Sequence, residues 1–549
     1  FEIATSRSSA SAIEYNSEEY SDGITMFSSF FDYYSAAIDE NGNEIWNSGD
    51  ENIIFYNTDY YGQLFGTKAN LSDTLENYLP VTEFNLNNEI IWEEPAEHFS
   101  HHDMFQLPNG NYLSIVEDIQ LGPIPPDIPN AFFFQNFLGY AVDGVTNEFP
   151  WVGDRIVEWD KDTKQEVWSW STHDYFSKSD YDNIGSTWNA AFDLARFDWT
   201  HANALAYSSE DNTIYLSSRH LSRITKIDKD SGDVIWNMGL PVEYMASGND
   251  HICSDLLFSF QHNIQLLDDG TLLFFDNGNL SPMLMGDSNP TSRIRRIRVV
   301  DDSYCETVWQ YDLPPNLFGV GMGSVQLLEN GNYLLYTFGS GLNQTEPTLR
   351  EVTSDYEVVW NYQGASGAAW YRTYKIPSLH PDIFSLIASN YKSTEEGDAI
   401  IVSPSNPSMA FTIHNKSGYN QDYYYLLTDN TNGWFNNSNG VISVAPNSSQ
   451  DITFESSFAF GNQTEISLMV NPIHHSYRQK NLIFNVFNQS NGMLGDVNYD
   501  GILNVLDVVL LVNMILGSDD SDYDSADINS DGEVNVIDVV LLVNMILNS

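Results

Sequence analysis

The chain has 549 residues, with 76 acidic side chains against 22 basic ones and a net charge of -54 at pH 7. A surface that acidic repels phosphate backbones and anionic headgroups alike, so nucleic acid is excluded as a natural partner, whereas solubility in salty water fits it. The length points to several domains, and no apolar run reaches the roughly 18 residues that a membrane span needs. Cys253 and Cys305 are too few for a disulfide framework, and two readings stand for them: a pair, or two thiols. A first residue of Phe1 reads as a processed N-terminus after loss of a signal peptide, hence a secreted chain working extracellularly or at a cell surface.

From the N-terminus, one phrase recurs: a strand, an acidic or polar turn, then an apolar strand closing on tryptophan. Its copies close at Trp46, Trp92, Trp168, Trp236, Trp309 and Trp360, at intervals of 46, 76, 68, 73 and 51 residues. Interleaved with it is a hairpin phrase, LPNGNYL at Leu107–Leu113, LDDGTLL at Leu267–Leu273 and LENGNYL at Leu328–Leu334. Asn-Gly and Asp-Gly between alternating apolar residues predict hairpins with type I′ turns. Four-stranded units at that period predict a mainly β fold, a six-bladed β-propeller over about residues 20–392, within a first domain of 1–392 that includes an N-terminal extension. Trp370–Ile376, after the sixth tryptophan, is expected to share a blade with the earliest strands and close the ring. Over 393–490, short alternating strands between Asn, Ser and Gly turns predict an immunoglobulin-like β-sandwich, read as a spacer.

The last segment, 494–549, holds two copies of a repeat with a period of 31, each ending in DVVLLVNMIL. Each opens with Asp-x-Asn-x-Asp-Gly, and oxygen ligands at loop positions one, three, five, seven, nine and twelve suit calcium. The first set is Asp496, Asn498, Asp500, the Ile502 carbonyl, Asn504 and Asp507; the second is Asp527, Asn529, Asp531, the Glu533 carbonyl, Asn535 and Asp538. Two calcium ions are therefore expected. Asp at position twelve, one helix per loop and the doubling resemble the dockerin modules of cellulosomes. At positions ten and eleven, where that family recognises its partner, stand Val505-Leu506 and Val536-Ile537 instead of Ser-Thr. Helices apolar all round cannot hide every face on each other, which implies a protein partner, cohesin-like or another copy of this chain.

In the first domain, His101-His102-Asp103 precedes one hairpin and Gln261-His262-Asn263 another. His102 and His262 each stand eight residues before the hairpin glycine, Gly110 and Gly270, while Gly323 takes that place in the next repeat. Between them lies Trp199-Thr200-His201-Ala202-Asn203-Ala204, with Arg219 eighteen residues after His201. These segments resemble the arylsulfotransferases, six-bladed propellers that move sulfate between phenolic esters without a nucleotide donor, over about residues 30–376. The resemblance implies His262 as the nucleophile forming a sulfo-histidine, His201 and Asn203 as catalytic transition-state and acid–base groups, and His102 and Arg219 as sulfate binders; His220 and His251 are read as bystanders. Imidazole suits nucleophilic attack and proton relay, and guanidinium suits clamping a sulfuryl group. Two classes of function stand side by side: a secreted aryl sulfotransferase with a phenolic sulfate ester as substrate, carried by a calcium-dependent docking module, or a non-enzymatic extracellular scaffold that assembles through that module.

Overall fold

The hairpin phrases fold as hairpins, with a turn different from the expected one. In each, the glycine amide donates to the leucine that opens the turn, Gly110 to Leu107 and Gly270 to Leu267 at 2.8 Å and Gly331 to Leu328 at 2.9 Å. Positive φ falls on the glycine alone (+87°, +75° and +86°), not on the Asn or Asp before it. The turn is therefore type I with a left-handed glycine after it, the three-residue alternative to type I′; in the first copy Pro108, with φ held near −65°, is compatible only with the former.

The computed structural model describes the chain apart from residues 1–4, 17, 30–31, 70–78, 96–98, 246, 340–345, 395–396, 404–405, 457–462, 489–493, 498–501, 518–524 and 549. By contact it divides into Phe1–Leu379 and His380–Ser549. It is mainly β, with a small helical segment at the C-terminus.

Among the described residues the first unit holds six sheets, each built on a four-stranded antiparallel meander. The first is Trp370–Ile376, Ile24–Ser29, Tyr34–Ile38 and Glu44–Asn47; the second is Ile53–Thr58, Leu64–Lys68, Val81–Phe84 and Ile90–Glu93. The third is Ser100–Gln106, Tyr112–Gly122, Phe149–Trp159 and Glu166–Ser171, with Phe197–Asp198 added in parallel to Phe149–Trp159. The fourth is Ala202–Ser208, Thr213–Ser218, Arg223–Asp228 and Val234–Gly239; the fifth is His262–Leu266, Leu272–Asp276, Arg293–Val300 and Tyr304–Asp312. The sixth is Ser324–Leu327, Tyr333–Thr337, Thr348–Val352 and Val358–Gly364, its outer edge covered by Ala10–Tyr15. The late strand Trp370–Ile376 thus pairs with the early Ile24–Ser29. The six opening strands pack against one another in cyclic order, Ser324–Leu327 meeting Trp370–Ile376.

Tryptophan on the fourth strand of each sheet explains the recurring phrase. Its indole N–H donates to the last turn of the next sheet: Trp46 to the Leu86 carbonyl at 2.9 Å, Trp92 to Lys161 at 3.0 Å, Trp170 to Gly232 at 2.9 Å, Trp309 to Ser354 at 2.9 Å and Trp360 to Glu40 at 2.9 Å, with Trp236 donating to the Asp302 carboxylate at 2.7 Å. In the third sheet the position belongs to Trp170 rather than the expected Trp168. The two lie two apart on one strand face, so alternation alone does not separate them. Cys253 and Cys305 pair, tying the loop after the fourth sheet to the last strand of the fifth, with Cα atoms 5.3 Å apart.

In the second unit, Phe384–Ala388, Ser408–Asn415 and Ser449–Glu455 form one sheet, and Tyr391–Thr394, Gly397–Val402, Lys480–Asn488, Gln463–Pro472, Gln421–Asp429 and Ser438–Val444 form another. Both feed one core that includes Phe411, Tyr423, Leu427, Leu468 and Val486. Phe384–Ala388, which the sequence reading put in the first domain of 1–392, and Tyr391–Thr394, which straddles that limit, pair within these sheets, and the contact division falls earlier, after Leu379. The helices Val505–Ile515 and Val536–Asn548 bury Leu511, Met514 and Leu542 between them.

Replacing Trp360 by Phe removes one hydrogen bond between the sixth and first sheets while keeping most of the ring. An unfolding free energy lower by about 1–2 kcal/mol is expected; no change in denaturant midpoint would show that this bond does not hold the sheets together.

Candidate functional site

Five of the six opening strands are bulged where their side chains meet. Tyr371 and Arg372 stand together against Ser28, Tyr56 is an extra residue in the second sheet, His102 and Asp103 are extra in the third, Asn203 is extra in the fourth, and Asn263 with Ile264 opposes Phe274 in the fifth. A bulge bends its strand and re-aims the side chains beside it. His102, His201 and Asn263 have φ of +69°, +47° and +54°, left-handed values that such residues hold only where neighbours enforce them.

In the third and fourth sheets the enforcing contacts come from Arg372, Asp103 and Tyr371, while Asn263 is held by the Tyr374 hydroxyl at 2.6 Å and the Val325 amide at 2.9 Å. Arg372, 1% exposed, sets Nη1 3.0 Å from Asp103 Oδ1 and donates from Nη2 to the Asn203 carbonyl at 2.6 Å. The other oxygen of Asp103 accepts the Leu205 amide at 2.9 Å. Burial opposes charge on Arg372, but Asp103 outweighs it and holds the guanidinium pKa above its ordinary value. The Tyr371 hydroxyl lies 3.0 Å from the His102 carbonyl and 3.3 Å from that of Asn203. One buried ion pair and one phenol thereby lock bulges from three sheets.

His262 is 4% exposed, and its Nδ1 lies 2.7 Å from Asn277 Oδ1. Asn277 spends both amide hydrogens on the carbonyls of Gly319 at 2.8 Å and Met322 at 2.9 Å. Its oxygen can only accept, so Nδ1 of His262 carries the hydrogen and the lone pair stays on Nε2. Burial, then the Arg219 charge, hold the His262 pKa well below the ordinary histidine value. His102 lies with its ring 5.0 Å from that of His201, and burial plus the charges of His101, His201, His262 and Arg372 depress its pKa likewise.

His201 and Arg219 are neighbours through their backbones. The hairpin of Ala202–Ser208 with Thr213–Ser218 pairs Ala202 with Ser218, and the Arg219 amide donates to the His201 carbonyl at 3.1 Å. This fold-back accounts for the eighteen-residue spacing. His201 Nδ1 donates to Asp198 at 2.6 Å. Arg219 donates from Nη1 to His220 Nε2 at 2.6 Å, while His220 Nδ1 donates to the Asp198 carbonyl at 2.7 Å. Burial lowers the Arg219 pKa to about 10, which leaves it a cation at neutral pH, and pushes His220 to about 3. Asn203 is fully buried, donates to the Gln261 carbonyl at 2.8 Å, and its own Oδ1 finds no partner among the described residues.

His102, His201, Asn203, Arg219 and His262 are thus brought together. His220, read from sequence as a bystander, is an acceptor for Arg219. Asp198, Asn277 and Arg372 were missed as well. Asp198 carried a weak signal in standing three residues before His201; Asn277 and Arg372 carried none, since their roles depend on neighbouring sheets. Asp198, His201 and His220 offer metal-ligand atoms within 4.8 Å of one another. A metal does not fit there, because the proton shared between His201 and Asp198 and both ring nitrogens of His220 are committed to other bonds.

In the C-terminal loops, Asn498 and Asp500 lie outside the described residues. Asp507 is fully buried, accepting the amides of Val497 at 3.0 Å and Asn504 at 2.9 Å; Asp538 does the same for Ile528 and Asn535 at 2.8 Å. Asn504 and Asn535 cap the helices by accepting from Leu506 at 2.7 Å and Ile537 at 2.8 Å. Asp496 is 2% exposed, and the amides of Asp531 and Gly532 wrap Asp527 at 3.1 and 2.7 Å, with Gly532 at φ +86°. No Lys, Arg or His occurs in 494–549. Converging carboxylates with no basic partner in the segment fit a divalent cation. The exposed side chains repeat across the two helices: Val505, Leu506, Val509, Val512 and Leu516 on one, Val536, Ile537, Val540, Val543 and Leu547 on the other.

The depressed histidines have a consequence for stability. The unfolded chain takes up protons near pH 6.5, whereas folded His102, His220 and His262 resist them, His220 down to about pH 3. At these three sites the unfolded chain therefore binds more protons as pH falls below about 6.5, which removes stability through that window, whereas His101 and the carboxyls of Asp59, Glu83, Asp103 and Glu117, whose pKa values are raised, act in the opposite sense. The share of His220 is isolated by substitution: from pH 7 to pH 4 the denaturant midpoint of the wild type should fall relative to that of His220→Gln. A difference between the two that does not change with pH would contradict this assignment.

Residues 139–425 match the family model described as arylsulfotransferase (ASST), and residues 494–547 match the Dockerin type I domain. Domains of the latter kind bind calcium and cohesin partners. Arylsulfate sulfotransferase AssT of Lelliottia amnigena is 36% identical over 105 residues, a stretch covering 16% of this chain and 17% of that protein. The extracellular domain of a hybrid two component system from B. thetaiotaomicron is 9% identical with a TM-score of 0.31, spanning 87% of this chain and 57% of its own. The Dos1 propeller is 11% identical with a TM-score of 0.28, spanning 63% and 68%. Both scores are too low to bear on the fold, whose description rests on its own strand pairing. With the first family model spanning more than half of its length, the chain belongs to the arylsulfotransferase family and carries a Dockerin type I domain at its C-terminus.

Proposed function

We propose that this protein is an aryl sulfotransferase working outside the cell membrane, in which the six sheets are blades of a β-propeller, the two-sheet core of the second unit is an immunoglobulin-like spacer, and the last 56 residues are a calcium-dependent docking module. The observation that carries the reading is the arrangement at His262, whose Nδ1–H is fixed by Asn277 and whose Nε2 keeps its lone pair in the electrostatic reach of Arg219. A buried neutral imidazole with a fixed tautomer is a ready nucleophile.

In the forward half-reaction, Nε2 of His262 attacks sulfur of an aryl sulfate and the sulfur–oxygen bond to the ring breaks. The phenolate leaves with a proton from Nε2 of His201, whose Nδ1 is held by Asp198. Arg219, cationic at neutral pH, binds the equatorial oxygens with His102, and Asn203 offers its unpartnered Oδ1 to the hydroxyl that arrives or departs. In the return half, His201 takes the proton of the acceptor phenol, the phenol oxygen attacks sulfur, and the nitrogen–sulfur bond electrons return to His262. Mixing protein with an aryl sulfate alone should leave a sulfuryl group on His262, detectable by mass spectrometry, and His262→Ala should lower turnover at least about 1000-fold. Turnover that survives in His262→Ala would remove the nucleophile assignment.

For the C-terminal module, two calcium ions are assigned, one to Asp496, Asn498, Asp500, Ile502, Asn504 and Asp507, the other to Asp527, Asn529, Asp531, Glu533, Asn535 and Asp538. Clustered carboxylates repel one another without the ion, so ion binding and folding are coupled. The duplicated apolar rows are the docking surface, for a cohesin-like protein or a second copy of the chain. Chelation should reduce helicity and release the partner while sulfate transfer persists; unchanged helicity and association in chelator would overturn the assignment.

A further inference from the structure

Asp154 touches none of the groups assigned above to substrate. It lies on Phe149–Trp159, 2% exposed, with Oδ1 3.0 Å from Nε2 of His101. Its Oδ2 accepts the Ala202 amide at 2.7 Å and the Thr200 hydroxyl, the two residues flanking His201. His101, itself 7% exposed, meets His102 nitrogen to nitrogen, Nδ1 against Nδ1. One carboxylate therefore reaches both histidines that face each other across the third and fourth sheets.

Two imidazoles that meet through their nitrogens share one proton, and its position decides what His102 can do. Nε2 of His101 faces the Asp154 carboxylate at 3.0 Å, and an anion there keeps a hydrogen on that nitrogen. With the shared proton on His101, that ring is an imidazolium balanced by Asp154, and His102 is neutral with its hydrogen on Nε2. If the pair is one proton poorer, with His101 neutral and the hydrogen between the rings on Nδ1 of His102, the proton lost has left from Nε2 of His102, and that Nε2 is a bare acceptor. Sulfuryl oxygens only accept, so the first state attracts them and the second repels them. We infer that Asp154 and His101 are a positioning relay that holds His102 as a neutral Nε2–H donor, while the second oxygen of Asp154 fixes the backbone on both sides of His201.

The surroundings agree with that proton position. Burial works against charge on His101, but the hydrogen bond and charge of Asp154, with Glu117 and Asp198 adding to them, raise its pKa above the ordinary histidine value. His102 is faced by His101, His201, His262 and Arg372, and these with burial keep it neutral. That the bound anion is a sulfuryl group rests on the arylsulfotransferase reading; the tautomer of His102 does not.

The test uses the full chain labelled with nitrogen-15 histidine at pH 7, with His102 identified by its loss in His102→Ala. Wild-type His102 should show a protonated Nε2 and a bare Nδ1. Asp154→Asn keeps an oxygen for the Ala202 amide but removes the charge; it should move His102 toward the Nδ1–H form and lower turnover about 100-fold, and its pH–rate profile should lose the limb that belongs to His101. His101→Gln serves if Asp154→Asn does not fold. A wild-type His102 protonated on Nδ1 would overturn the relay, as would a folded Asp154→Asn that only melts earlier, with tautomer and pH profile unchanged. The expected tautomer in a chain that transfers no sulfate would sustain the relay and sink the sulfotransferase reading.

Discussion

The indole bond from the last strand of each sheet to the last turn of the next is the constraint on which the rest depends. Six separate sheets have no ladder in common, so their spacing is set by side chains between them. Large rings fill that space, and each buried indole N–H needs an acceptor, which only one rotation of the neighbouring sheet supplies. Because Trp360 reaches Glu40 as Trp46 reaches Leu86, the restraint returns on itself, and a shift in any one sheet is opposed by two others. The opening strands are thereby held in cyclic order around the centre where the histidines and Arg219 gather.

At that centre the strands give up regular pairing. Bulges and left-handed residues each cost on the order of 1–3 kcal/mol, and they fall on the strands that supply His102, Asn203 and Asn263. The Arg372–Asp103 pair offsets this by bonding to backbone exposed by the bulges, so a buried charge pair of little net stability acts as a geometric lock. Asp198, Asn277 and Asp154 do the same for single imidazoles. Each reactive ring has one nitrogen held by an oxygen that can only accept or by a second ring, which leaves the other nitrogen with a defined role.

Much of this was legible in the sequence where the signal is local. Turn glycines at fixed offsets, tryptophans on fourth strands and the paired acidic loops each depend on residues within one hairpin or one loop. The turn type was misread because Asn-Gly and Asp-Gly serve two turn geometries, and only in the first copy does a proline, Pro108, decide between them. Trp170 escaped because Trp168 shares its face. The boundary after Leu379 escaped because strand partners such as Ser408–Asn415 lie well downstream of Phe384–Ala388. Arg372 and Asn277 escaped for a deeper reason: each acts across a sheet boundary, on carbonyls or rings far away in sequence, and nothing in their own neighbourhood marks them.

A net charge of -54 opposes the approach of the sulfate esters proposed as substrates, and local electrostatics resolves the conflict. Surface carboxylates beyond the Debye length, about 8 Å at physiological salt, are screened. Inside the site the dielectric is lower and the charges are paired unequally. Asp103 balances Arg372 and Asp154 balances His101, whereas Arg219 is hydrogen-bonded to a neutral His220 and a carbonyl, with Asp198 and Asp182 acting on it through their charge alone, and remains open to an incoming anion. His220, buried and neutral, is what makes this possible: a carboxylate in its place would cancel Arg219 and a cation would expel it. The acidic exterior and the cationic centre are therefore compatible, because the exterior acts through water and salt while Arg219 acts through a few ångströms of protein.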